Sequence, residues 1–438
     1  MVLKNLKAFC FRLCFLFPLY SGAQYLWTAE VEQKGLLSGG QNAFWSSANS
    51  LGVVRPESQA ITLLNGNYQT YLGELSDLKV GASAFYDYSS KGPSRLAINE
   101  AYITTAWWVI ESTVGARGRE TEFQGLSSVN GDLLWSNNSR PIPGLEVRTR
   151  NPMKPWRWIG LEGALAHYWL GDERFVQNAY LHYKYLGLYF SPAEKSEIKA
   201  SLHHYAQWGG NSPVTGPQPT SFKDLILVFF GKNGANNRIA GNPLGSYNFS
   251  FKQTFEDRVL ELYYQGLFET YAGMKTANLP DGLLGLYYDL GEEHLLKAVL
   301  LERIATNGQG SDNYFNHSVY RSGWTYQGQG LGVPFFTYDA AVPAFTNNRI
   351  VAFHMGARAQ INTIEYLFKA SYVKNMGSKA APLNPQTQKL YSQLQAYAPL
   401  GVNLHLGVAV GADLLGAGNS NITLGVSLKY SYLETFRW

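Results

Sequence analysis

Residues 422 to 432 alternate without a break. Ile422, Leu424, Val426, Leu428, Tyr430 and Tyr432 are apolar or aromatic, while Thr423, Gly425, Ser427, Lys429 and Ser431 lie between them. Successive side chains of a strand point to opposite faces, so a period of two specifies a strand with one greasy side and one wet side. It runs for about ten residues, the length that crosses a bilayer when tilted. Phe436 and Trp438 keep the even phase, so the chain ends on an aromatic ring in the manner of the closing strand of a bacterial outer-membrane barrel.

The other end is consistent with export. Lys4, Lys7 and Arg12 precede the apolar run Leu13 to Tyr20, followed by Ser21-Gly22-Ala23. This reads as a secretory leader, residues 1–23, with Gln24 as the mature start. The run is too short for a spanning helix. Cys10 and Cys14 both fall within the leader, so residues 24–438 hold no thiol for a disulfide, a metal or nucleophilic chemistry.

The remainder contains no apolar block long enough for a membrane helix; the longest is Leu225 to Phe230. Yet 29 Tyr, 23 Phe, 11 Trp and 44 Gly are many for a soluble enzyme, and aromatic girdles at two membrane interfaces account for that excess. The formal charge of +4 falls to +1 without the leader, which gives no sign of a nucleic-acid partner.

Alternation recurs along the chain. Val80, Ala82, Ala84, Tyr86 and Tyr88 oppose Gly81, Ser83, Phe85 and Asp87. Leu181, Tyr183, Tyr185 and Tyr189 oppose His182 and Lys184; Val351, Phe353, Met355 and Ala357 oppose His354 and Arg358. Ile364, Tyr366 and Phe368 oppose Glu365 and Lys369, and Leu404, Leu406, Val408 and Val410 oppose His405, Gly407 and Gly411. The second face carries charge, histidine or glycine, as expected of a polar lumen and not of a packed core. The expected fold is all-β, a transmembrane antiparallel barrel over residues 24–438, with about 18 strands (16 also fit) at roughly 23 residues each. Turn-rich stretches at 89–94, 130–143, 209–220, 231–245, 305–313 and 377–388 are candidates for extracellular or lumen-plugging loops.

Catalytic signatures are scarce. There is no Gly-x-Ser-x-Gly elbow, no His-Glu-x-x-His, and Gly231-Lys232-Asn233 lacks the hydroxyl residue of a phosphate loop. His203 and His204 are adjacent, so a strand sends them to opposite faces. No enzymatic activity, cofactor or metal is expected.

Three segments stand apart: Trp135-Ser-Asn-Asn-Ser-Arg140-Pro-Ile-Pro143; Gln207-Trp208-Gly209-Gly210; and Asn313 to His317 followed by Tyr320-Arg321-Ser322-Gly323-Trp324-Thr325-Tyr326. In these runs, their order and their separation, the sequence resembles the Wzi family of capsule-assembly outer-membrane proteins, in the form found in Bacteroidetes-type bacteria. The match is specific over roughly residues 130 to 340. Ser139 stands where that pattern has alanine. The chain also enters a strand by about Tyr25 to Gln33, leaving little room for the periplasmic helical segment of proteobacterial members.

The resemblance implies an 18-stranded outer-membrane barrel that acts as a lectin-like anchor for capsular or surface polysaccharide; a monomer is expected, though nothing in the sequence fixes the oligomeric state. Sugars offer apolar C–H faces and many hydroxyls, so their sites join aromatic platforms to planar polar groups. Trp135, Asn137 and Arg140 form one such set, and Tyr320, Arg321 and Trp324 another; Trp208 completes the candidates. Each also fits a packing role, the tryptophans in loops or girdles and the arginines on lumen carboxylates or loop carbonyls. The alternative function is a passive porin or substrate channel, which requires an open lumen; the anchor requires a lumen filled or capped by loops.

Overall fold

In the computed structural model the described residues are 25–232, 234, 240–310, 312–414 and 420–436. The expected leader and Trp438 lie outside them. Eighteen strands follow in chain order: β1 Tyr25–Ser38, β2 Ala60–Gly73, β3 Ser76–Tyr88, β4 Arg95–Trp107, β5 Ile110–Ala116, β6 Pro143–Thr149, β7 Ile159–Trp169, β8 Tyr180–Ala193 and β9 Ser196–Trp208, then β10 Asn242–Phe255, β11 Arg258–Phe268, β12 Gly282–Asp289, β13 Leu296–Ala305, β14 Ile350–Ile361, β15 Ile364–Gly377, β16 Pro382–Pro399, β17 Leu404–Leu414 and β18 Asn421–Phe436. A short segment, Met153–Trp156, continues β6 along the same neighbour, β7. Every strand pairs antiparallel with the next, and β1 pairs with β18 from Tyr25↔Phe436 to Ser38↔Thr423, which closes the barrel. Closure matters because a sheet edge cannot be left unpaired in lipid. Among the described residues no helix is long and apolar enough to cross a membrane.

The alternation read from the sequence holds on β3, β14, β17 and β18. Tyr86, Phe353, Val410, Ile422, Leu424 and Tyr432 are exposed on the outer wall, while Asp87, His354, Thr423 and Ser427 are buried inside. On β8 it is reversed. Leu186, Leu188 and Phe190 face out, so Tyr183 and Tyr185 line the lumen, and His182 and Lys184 sit on the outer wall. Those two polar residues are tolerated there because a helix covers them, as set out below.

One rim carries tight turns, such as 74–75, 108–109, 194–195, 256–257 and 362–363, and both β1 and β18 have their terminal ends there. Exposed Trp27, Tyr71, Trp107, Trp108, Trp156 and Trp158 ring it as an interfacial girdle. The other rim carries the long connections 39–59, 117–142, 209–241, 269–281 and 306–349, which hold three short helices, α1 Phe44–Ser47, α2 Phe222–Phe229 and α3 Tyr271–Met274. Short periplasmic turns and long extracellular loops are the rule for such barrels. The stretch 377–388, expected as a loop, is instead a four-residue turn, 378–381, leading into β16. Residues 383–386 pair with neither neighbour, so Pro385 costs the ladder no hydrogen bond.

The lumen departs from the expected all-polar interior. Toward the long-loop rim its wall is apolar, with Leu181, Leu244, Leu283, Leu300, Ile304 and Ile350 buried in one cluster. Connections 117–142 and 306–349 fold inward and pack Leu126, Leu133, Trp135, Tyr314, Trp324 and Phe335 against that wall. Apolar loops entering the barrel need an apolar lining to bury against. The wall nearer the tight turns stays charged and mixed in sign, with Arg148–Glu111 at 2.7 Å, Arg117–Glu111 at 3.0 Å and Lys199–Glu162 at 2.6 Å. A cavity of about 410 Å³ lies there beneath the loops, lined by Arg119, Trp135, Tyr168, Tyr183, Tyr185 and Tyr263 among others.

Candidate functional site

The first and third sequence segments meet inside the barrel. The Trp324 indole Nε1–H donates to the Leu134 carbonyl at 2.5 Å. Ser136 donates twice to the stretch opposite, from its N–H to Leu331 O at 2.8 Å and from its hydroxyl to Gly332 O at 2.7 Å. Asn138 Nδ2 adds a bond to Gly330 O at 3.0 Å. Gly332 is required by the closeness of this contact: a Cβ there would lie 1.8 Å from Leu133 O.

Each sequence candidate has a defined place. Trp135 is buried, edge-on to Tyr168, with the Arg119 guanidinium 4.9 Å above its ring, and it roofs the lower lumen cavity. Asn137 is buried, and its carbonyl accepts from Leu51 N–H at 2.8 Å. Arg140 donates to Asn99 Oδ1 at 3.2 Å, to Gln327 Oε1 at 2.6 Å and to the Ile98 carbonyl, which ties its loop to β4. Arg321 is exposed, its guanidinium 4.8 Å over the Phe175 ring. Trp324 has no exposed surface. Trp208 ends β9 at a corner where Gly209 and Gly210 both take positive φ, and Tyr320 donates its hydroxyl to Gly209 O at 3.3 Å. The seven do not form one site: Trp208 and Tyr320 are brought together, and the other five are distributed through the stopper.

Trp208 and Tyr320 line a groove of about 1030 Å³ at the long-loop rim, between connections 209–241, 269–281, 306–349 and 378–381. Asn313, His317, Ser318 and Glu269 share it. His317 Nδ1 accepts the N–H groups of Val319 and Tyr320, each at 3.2 Å, which leaves the ring proton on Nε2. Burial pushes its pKa down to about 4, so the ring is a neutral donor at physiological pH. Glu269 is half-buried and accepts from Phe315 N–H at 2.6 Å; desolvation, with Asp312 adding to it, raises its pKa to about 8. It too holds a proton to offer at neutral pH. The Trp208 indole N–H is buried without a hydrogen-bond partner among the described residues. The groove thus combines two aromatic side chains with several hydrogen-bond donors, and no lysine or arginine lies in its described lining. Sequence reading missed Glu269 entirely, since a lone glutamate at a strand end has no distinguishing pattern. Among the described residues no cluster of three or more His, Cys, Asp or Glu side chains could hold a metal.

A closed barrel with an apolar belt, with long loops packed inward against its wall and a groove at the outer rim, defines an outer-membrane β-barrel. The model of the family "Capsule assembly protein Wzi" matches residues 63–346, and the chain belongs to that family. Among solved structures the chain is similar to Wzi of Escherichia coli, an outer-membrane protein involved in group 1 capsule assembly and described as a carbohydrate-binding β-barrel. That likeness has 19% identity and a TM-score of 0.61, covering 92% of this chain and 83% of that one. OccAB4 of Acinetobacter baumannii is similar at 8% identity and TM-score 0.50, covering 95% of this chain and 99% of its own. OccK5 of Pseudomonas aeruginosa has 9% identity and TM-score 0.49, over 94% and 98%. These likenesses concern the fold alone. No curated protein matches the sequence.

Proposed function

We propose that this outer-membrane protein binds capsular or other surface polysaccharide at the rim groove and holds it at the cell surface as a lectin-like anchor, without chemistry on the glycan. Processing after residue 23 and a monomeric barrel over 24–438 belong to the same reading. The observation that carries it is the pairing of inward-packed loops with an outward groove of aromatic and hydrogen-bonding groups. A channel needs the reverse arrangement. Trp208 and Tyr320, 5% and 3% exposed, would form the apolar floor under the sugar, with hydroxyls accepting from His317 Nε2–H. Trp135, Asn137, Arg140, Arg321 and Trp324 serve it by holding the loops that build the groove. A lining without lysine or arginine suits uncharged sugar units better than a run of uronates.

The test is retention of the producing strain's surface polysaccharide by refolded protein, alongside conductance in planar bilayers. Retention with a closed trace is expected. Trp208→Ala should weaken retention about tenfold, the loss of one aromatic platform worth roughly 1–1.5 kcal/mol. A protein that retains no glycan yet passes ions freely is a channel.

A further inference from the structure

The outer wall of β8 and β9 is polar where its surroundings face lipid. His182, Lys184 and His204 point outward directly above Leu186, Leu188, Phe190, Ile198 and Leu202, which are exposed to the membrane. Helix α2 covers this patch. Its Val228 packs with Ala206 and Trp208 against the wall, with Leu225 and Tyr180 alongside. Lys184 donates to the Phe229 carbonyl at the C-terminal end of the helix, where the dipole favours a cation, and lies 4.2 Å from the Phe229 ring centre. The N-terminus is closed by a reciprocal capping box between Ser221 and Asp224. The inner face of α2 is therefore fully assigned.

Its other face is not. Phe222, Ile226 and Phe230 recur every four residues and so form one stripe. They are 76%, 42% and 64% exposed, pointing away from the barrel. Lys223 and Lys232 flank the stripe and are exposed as well. An apolar stripe bordered by lysines is the pattern of a helix lying in a membrane interface. Its place is continuous with the lipid-facing belt directly beneath it.

We propose that α2 is an interfacial lipid-binding helix of the outer leaflet, with Phe222, Ile226 and Phe230 inserted among acyl chains and Lys223 and Lys232 taking an anionic phosphate headgroup. The connection that carries α2 also supplies Gln218 and Ala240 to the rim groove. Membrane contact on one side of this segment thereby supports the groove wall on the other.

Residues after 14 contain no cysteine, so Ile226→Cys in the full chain, together with Cys10→Ser and Cys14→Ser, gives a single site for an environment-sensitive fluorophore. Ala340→Cys, in an exposed turn of connection 306–349, is the aqueous control. In phosphatidylcholine vesicles, lipids brominated on the acyl chains should remove most emission from the label at 226 and little from that at 340, and iodide should do the opposite. Adding phosphatidylglycerol should deepen quenching by brominated lipid at 226, and Lys223→Gln with Lys232→Gln should abolish that increment. Heat-modifiable gel migration checks that each barrel is folded. Equal iodide quenching at 226 and 340 overturns the insertion, and an anionic-lipid increment unchanged in the double variant overturns the headgroup contact.

Discussion

Trp324 and Leu134 lie 190 residues apart, yet the indole of one donates to the carbonyl of the other at 2.5 Å inside the barrel. Neither group meets water there, so an unmade bond has no substitute. The contact joins the two inward connections into a single stopper.

Trading the indole for a phenyl ring removes the donor at the smallest loss of ring volume. Trp324→Phe should lower unfolding stability by about 1–3 kcal/mol, the cost of a buried carbonyl left unsatisfied. Trp324→Ala adds a cavity and should cost about 3–5 kcal/mol. Urea unfolding in lipid vesicles measures both. Equal midpoints for wild type and the Phe variant would show that the bond contributes nothing.

Gly332→Ala tests closeness instead of bonding. The added methyl would sit 1.8 Å from a backbone oxygen, which cannot move aside as a flexible side chain can. One loop must lift off the other, and the expected result is ion conductance above that of the unaltered barrel. A closed bilayer trace would mean that the stopper is held by its other contacts.

Glu302 fixes the first inward loop to the wall. Its carboxylate accepts from Ser127 Oγ at 2.5 Å, Ser128 N–H at 2.8 Å, Ser128 Oγ at 2.5 Å and Tyr263 OH at 2.8 Å. Glu302→Ala strands these buried donors and should loosen the loop by about 3 kcal/mol, on the order of a hundredfold in local opening. Hydrogen exchange at the Ser128 to Leu134 amides reads this directly. Unchanged protection would assign the latch to the Gln265 contacts with Leu133 N–H and Asp132 instead.

The barrel was legible because lipid imposes its pattern locally: Ile422 to Tyr432 alternate whatever lies elsewhere in the chain. The reversal on β8 was not legible, since His182 and Lys184 look lumenal until α2 is known to cover them. That helix did leave a signal, the Ser221-x-x-Asp224 cap before an apolar run, which the strand period obscured. The stretches 130–143 and 305–313 were legible as candidate plugging loops, but the contacts that seat them were not. Trp135, Arg140 and Trp324 stand out as residue types, but their partners lie across the barrel, and no local pattern distinguishes a buried loop tryptophan from a sugar platform. Glu269 was silent for the same reason.

Glu269 makes the seating of connection 306–349 depend on pH. Its folded pKa of about 8 lies above the ordinary 4.5, because burial and the neighbouring Asp312 disfavour the carboxylate. The folded state therefore holds a proton that the unfolded state releases. Its contribution is complete below pH 4.5, declines as pH rises from 4.5 to 8, and is lost above that range. The side chain is only half-buried, so the expected span is about 1–2 kcal/mol after allowing for solvent screening. Connection 306–349, anchored through Phe315 N–H, should be cut faster by an added protease at pH 8.5 than at pH 5.5, once the protease's own pH dependence is divided out. Glu269→Gln keeps the acceptor oxygen and removes the titration, so its ratio should be flat. The same ratio in both proteins would place the titrating group elsewhere.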